Sequence, residues 1–149
     1  MLPVEIYFAF HRPARLADLR TGARITSVFG HVECFGYTVD DTWFFFDPGR
    51  LTTSLVITHL HDEVTDLMAD VFQRSEEVIS IEPVATFRLP LHMPMNCVTQ
   101  CAALAGIRAF TPRGLRKKLL ETRGARIHGT EGRPGGQEDT DAGAPSLPA

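Results

Sequence analysis

The sequence predicts an α+β fold, in which a mostly antiparallel twisted sheet packs on a helix that carries a cysteine at its N-terminus. Three observations carry that expectation. Short β-branched and aromatic runs recur from residue 3 to 58 and again near residue 80, parted by turn residues. Apolar positions take helical spacing in residues 61–74 and again from Cys97 onward. At 149 residues and 44% hydrophobic, the chain has the size and apolar content of one domain core rather than two.

The elements follow in order. Pro3 to Phe10 alternates Val4, Ile6 and Phe8 on one side and reads as a strand. Arg12 to Gly22 is polar and broken by Pro13 and Gly22, with room for a short helical turn. Val28 to Thr38 is a second strand. Val39-Asp40-Asp41-Thr42 supplies turn chemistry, and Trp43 to Gly49 is a short apolar strand stopped by Asp47-Pro48-Gly49; the two strands make a hairpin. Ser54 to Thr58 is a fourth strand. From His61, residues Val64, Leu67, Met68, Val71 and Phe72 fall on one helical stripe, giving a helix over 61–74.

Val78 to Phe87 returns to strand, with Pro83 placing it at an edge or bulge. Leu89 to Met95 is a loop held extended by its prolines. Asn96 stands at an N-cap position, and Cys97, Val98, Cys101, Ala102 and Ala105 form the small apolar stripe of a short buried helix ending near Gly106. Thr111-Pro112 caps a basic helix running to about Glu121, with Leu115 and Leu119 turned inward. The domain is thus expected over 1–122. Residues 123–149 are rich in Gly, Pro and charge, and are expected to be a disordered tail.

A net charge of -3 implies no global pull toward nucleic acid or membrane. The N-terminus has no basic region and no cleavage-site pattern, and no run of about 18 apolar residues occurs, so neither a secretory leader nor a membrane span is expected. Three cysteines without an export signal favour reduced thiols and a cytoplasmic setting. Arg113, Arg116, Lys117 and Lys118 read as a solvated helix face rather than a phosphate-binding surface.

The sharpest chemical feature is Asn96-Cys97-Val98. A thiol on the first turn of a helix meets unpaired N–H groups and the positive end of the helix dipole, and both favour thiolate. The same N–H groups can stabilise an oxyanion formed when that sulfur attacks a carbonyl. Such chemistry also needs a base, with His31, His59, His61 and His92 as candidates. His31, after Gly30 at the head of a core strand, is the one a rigid element would hold still. Cys101, one turn after Cys97, reads as a small buried hydrophobe.

These pieces resemble permuted NlpC/P60-type, papain-like cysteine hydrolases, in which the histidine precedes the cysteine. The resemblance rests on Gly30-His31-Val32-Glu33, Phe46-Asp47-Pro48 and Asn96-Cys97-Val98. Gly106-Ile107, Thr111-Pro112-Arg113-Gly114-Leu115 and Leu119 also look like the ending of small phage-encoded proteins of this type. It spans about residues 28–120. It implies Cys97 as nucleophile, His31 as general base and Asp47 as the group orienting the imidazole, acting on a peptide-like or amide substrate without a cofactor. For Asp47 the hairpin register matters. A two-residue turn at Asp40-Asp41 would set Cys34 opposite Asp47 and send His31 to the other face, whereas an odd-length turn or a bulge would bring His31 and Asp47 together. Glu33 shares the face of His31 in any register and is the alternative orienting group.

Two other functions fit parts of the sequence. One is a catalytically inactive structural or virion accessory module of the same fold. The other is a zinc site built from His59, His61, Cys97 and Cys101, whose ligand types suit the metal but whose spacings include no CxxC knuckle.

Overall fold

The computed structural model describes residues 3–11, 30–49, 52–83 and 96–128. The expected turn within 12–22, the start of the second strand at Val28, the strand end at 84–87, the loop with His92 and the chain beyond residue 128 lie outside the described residues.

The fold is α+β. Its elements run β1 (Pro3–His11), β2 (His31–Thr38), β3 (Trp43–Pro48), β4 (Thr53–Thr58), α1 (His61–Arg74), β5 (Glu77–Ile81), α2 (Cys97–Leu104), α3 (Pro112–Glu121) and β6 (Arg126–His128). The six strands form one sheet in the order β4-β3-β2-β1-β5-β6, and every neighbouring pair is antiparallel. No helix among the described residues is long and apolar enough to cross a membrane.

Helices cover both faces of the sheet. Because side chains alternate along a strand, Ile6, Phe8 and Phe10 of β1 lie on one face with Val32 and Cys34 of β2. There they pack with Val98, Cys101 and Ala102 of α2 and Leu115 and Leu119 of α3. Ala9, Phe35, Phe45 and Val78 point the other way and meet Val64 and Val71 of α1. Strand β1 is therefore central in two senses: it has a partner strand on each side and a helical layer over each face.

One glycine in the sheet has a steric reason. A Cβ on Gly36 would stand 2.4 Å from the Glu5 carbonyl oxygen and 2.9 Å from the Phe44 ring. Glycine inside a strand is ordinarily the weaker choice, but here alanine would force backbone or ring to move. Gly36→Ala is expected to destabilise the protein by about 1–3 kcal/mol, read as a lower midpoint in urea; an unchanged midpoint would show that the close approach is not needed.

The last strand corrects the expected domain boundary. Residues 126–128, assigned to the tail by composition, form β6, with Val78↔His128, Ile79↔Ile127 and Ser80↔Arg126 in register. The pairing is carried by backbone and by a Ser80 Oγ···His128 Nε2 contact of 2.9 Å, while Ile127 stays 56% exposed. An apolar pattern was absent because no apolar face is buried.

Candidate active site

The site lies where β2 begins and β3 ends, under the N-terminus of α2. Asn96 caps that helix: its side chain accepts from the Thr99 N–H while the Thr99 hydroxyl oxygen accepts from the Asn96 N–H, both at 2.9 Å. This reciprocal cap fixes the first turn, and Cys97 is its first residue. Cys97 is half-buried, whereas Cys34 and Cys101 are buried.

The hairpin register decides what meets Cys97. Strands β2 and β3 pair as Cys34↔Phe46 through Tyr37↔Trp43. The connection is the three-residue turn Val39-Asp40-Asp41, closed by Thr38 N–H to the Thr42 carbonyl at 3.0 Å, with Asp41 at a positive φ of 58°. Aspartate tolerates that left-handed conformation better than most residues. The odd turn length puts Asp47 on the same face as His31. The His31 Nε2–H donates to Asp47 Oδ1 at 2.6 Å. Both side chains stay partly open, at 32% and 37% of their surface, so a substrate could reach them.

The Cys97 thiol interacts with the His31 ring as well. The β2–β3 ladder has ended by this point: Val32 would next oppose Pro48, which has no N–H to give. The main chain of Val32 is open to α2 instead. Its carbonyl accepts from Cys101 Sγ at 3.5 Å, and its N–H supports the Cys97 sulfur.

The electrostatics follow from these contacts. Burial pushes the Cys97 thiol up, but the His31 hydrogen bond, the Val32 N–H, the His31 charge and the Val98 N–H together bring it below the ordinary thiol value. For His31 the hydrogen bond to Cys97 is the largest influence. Burial opposes it, Asp47 adds to it, and the imidazolium persists up to about 9. Cys101 moves the other way, its thiol held neutral first by burial and then by neighbouring Cys34.

The three residues expected from the sequence, Cys97, His31 and Asp47, are thus brought together. Glu33, the alternative orienting group, is not beside the Asp47 edge of His31; its Oε1 lies 2.7 Å from His11 Nε2. His61 lies 3.3 Å from Asp41 in an exposed pair. Among the described residues no group of three or more His, Cys, Asp or Glu side chains is placed to hold a metal ion. Sequence reasoning passed over two contributors. Val32 acts through its main chain, which no side-chain motif reports. His11, the last residue of β1, pairs directly with His31, but that pairing spans the whole 12–30 connection and has no local signature.

No protein-family model matches the chain, no curated protein matches it, and no solved structure matches it.

Proposed function

We propose that the protein is a thiol-dependent hydrolase that cleaves an amide or peptide-type bond through an acyl-enzyme on Cys97, with a permuted papain-like arrangement of its site. One observation carries the reading: a helix-start sulfur, an imidazole and a carboxylate come together from three separate elements, with His31 hydrogen-bonded to Asp47 at 2.6 Å and acting on the Cys97 thiol. A cysteine serving only as a core hydrophobe needs neither partner.

The chemistry runs as follows. The Cys97 thiolate attacks the substrate carbonyl carbon, and the π electrons move to oxygen. The oxyanion so formed lies against the Cys97 and Val98 N–H groups that open α2, the Thr99 N–H being taken by the Asn96 cap. Collapse re-forms the carbonyl and breaks the C–N bond, while the His31 imidazolium gives its proton to the departing amine. His31, now neutral, removes a proton from water. The hydroxide attacks the thioester, the carboxylic product leaves, and Cys97 thiolate with His31 imidazolium is restored. Asp47 keeps the ring oriented and stabilises its charged form.

The pH dependence has a definite sign. Below the lowered Cys97 pKa the sulfur is protonated and inert. Above about 9 His31 has lost the proton owed to the leaving group. Turnover is expected to rise on an acid limb below the ordinary thiol value and to fall near 9.

The direct test needs no substrate. Iodoacetamide alkylation at pH 6–7, resolved by peptide mass spectrometry, should modify Cys97 faster than an ordinary thiol and leave buried Cys34 and Cys101 as internal references. Alkylation of Cys97 at the rate of a free cysteine would end the proposal. With a cleavable amide in hand, Cys97→Ala should show no turnover.

A further inference from the structure

We infer that His11 is a positioning residue for His31, braced by Glu33 and the end of α1; the inference rests on the thiol-hydrolase reading of the same site. A histidine placed between a sulfur and a carboxylate must hold its ring plane as well as its position. Asp47 and the Cys97 thiol engage the edges of the His31 ring, but a ring held only at its edges can still tilt about the line between them. A flat, immobile surface against the ring face removes that freedom.

His11 supplies such a surface. It lies directly opposite His31 in the β1–β2 ladder, and the two imidazoles are stacked, with centroids 5.7 Å apart and planes 26° from parallel. His11 is itself fixed at both edges. Its Nδ1–H donates to the Arg74 carbonyl oxygen, the last of α1, at 3.1 Å. Its Nε2 lies 2.7 Å from Glu33 Oε1, in close contact but outside hydrogen-bond geometry. The same Glu33 oxygen takes Arg74 Nη2 at 3.4 Å, and Arg74 also reaches Asp70 at 3.0 Å.

Among the described residues, the charged groups around His11 include Glu33 and His31 from β2 and Arg74 and Asp70 from α1. His11 and Glu33 are almost wholly buried, at 9% and 5% exposure. Burying an ionisable pair is costly unless it is well partnered. Here it stands behind the imidazole that acts on the Cys97 sulfur, and it ties the ring face of His31 to the α1 layer. Cys97 is presented from the opposite layer, so His31 is held between the two.

Two double variants isolate the ring face. His11→Phe with Glu33→Gln keeps a planar ring and removes the buried ionisable groups. His11→Leu with Glu33→Gln removes the same groups and offers no plane. The readout is the iodoacetamide rate at Cys97 as a function of pH. The phenylalanine variant is expected to keep a profile close to wild type, while the leucine variant loses about tenfold in rate at pH 6, a midpoint displaced upward by about one pH unit. A leucine variant matching wild type, or a phenylalanine variant as impaired as the leucine one, overturns the inference.

Should either variant unfold, the wild-type His31 ring decides. Its NMR order parameter lies near the rigid value of about 0.85 if the ring is braced, and a value under about 0.6 overturns the brace. Ordinary thiol reactivity in the wild type removes the hydrolase reading together with the brace, whereas a reactive wild type with an unaffected leucine variant removes only the brace.

Discussion

His31→Ala is expected to slow iodoacetamide alkylation of Cys97 at pH 6 by at least about tenfold, because each pKa unit is a factor of ten in thiolate below the midpoint. The sulfur is pulled two ways: burial raises its pKa, while His31 contributes both a hydrogen bond and a charge that lower it. Alanine takes away both of the latter and leaves the Val32 and Val98 N–H groups to oppose burial alone. In the proposed mechanism hydrolysis suffers more than alkylation, because there His31 also protonates the leaving amine and activates water; a loss of about 10²–10⁴ is the usual scale for a positioned acid–base group. Asp47→Asn should do less, since it weakens the orientation of the ring without removing it. An alkylation rate in His31→Ala equal to that of the wild type would mean the helix start alone sets the thiol, and the pairing would lose its functional meaning.

Phe8→Ala is expected to give the largest loss of stability, about 3–5 kcal/mol, against a total of about 5–15 kcal/mol for an ordinary domain. Phe8 is fully buried in the middle of β1, paired to Cys34 on one side and Ile79 on the other, within the cluster that joins the sheet to α2 and α3. Truncation leaves a cavity bounded by elements that cannot collapse into it. Leu55 on the edge strand β4 is 58% exposed, and Leu55→Ala should change stability by no more than about 0.5 kcal/mol. Urea unfolding of the two variants checks the contrast; equal midpoints would mean that β1 is not the centre of the core.

Much of this architecture was legible because its signals are local. Asn96 and Thr111-Pro112 are caps whose hydrogen bonds close within one turn, and α2 and α3 start where those residues place them. The stripe from Val64 to Phe72 writes α1 directly into the period of the sequence, and the helix spans His61–Arg74. Cys97 and His31 were readable for a related reason: each opens an element, and element starts leave marks.

What stayed hidden was set by geometry between elements. Whether Asp47 reached His31 turned on Asp41 taking a positive φ, which made the turn three residues long rather than two. No composition distinguishes those cases, since either length suits Val39-Asp40-Asp41-Thr42. Strand β6 gave no hydrophobic alternation because it borrows its stability from the edge of β5. His11 carried no motif at all; its significance comes from a cross-strand neighbour twenty positions away.

The hairpin turn places an unusual demand on inheritance. Most surface turns absorb single-residue insertions and deletions with little consequence. In this one, pairing around two residues instead of three would reverse which side of the sheet receives everything from Trp43 to Pro48, stripping His31 of its carboxylate while leaving every candidate site residue present in the gene.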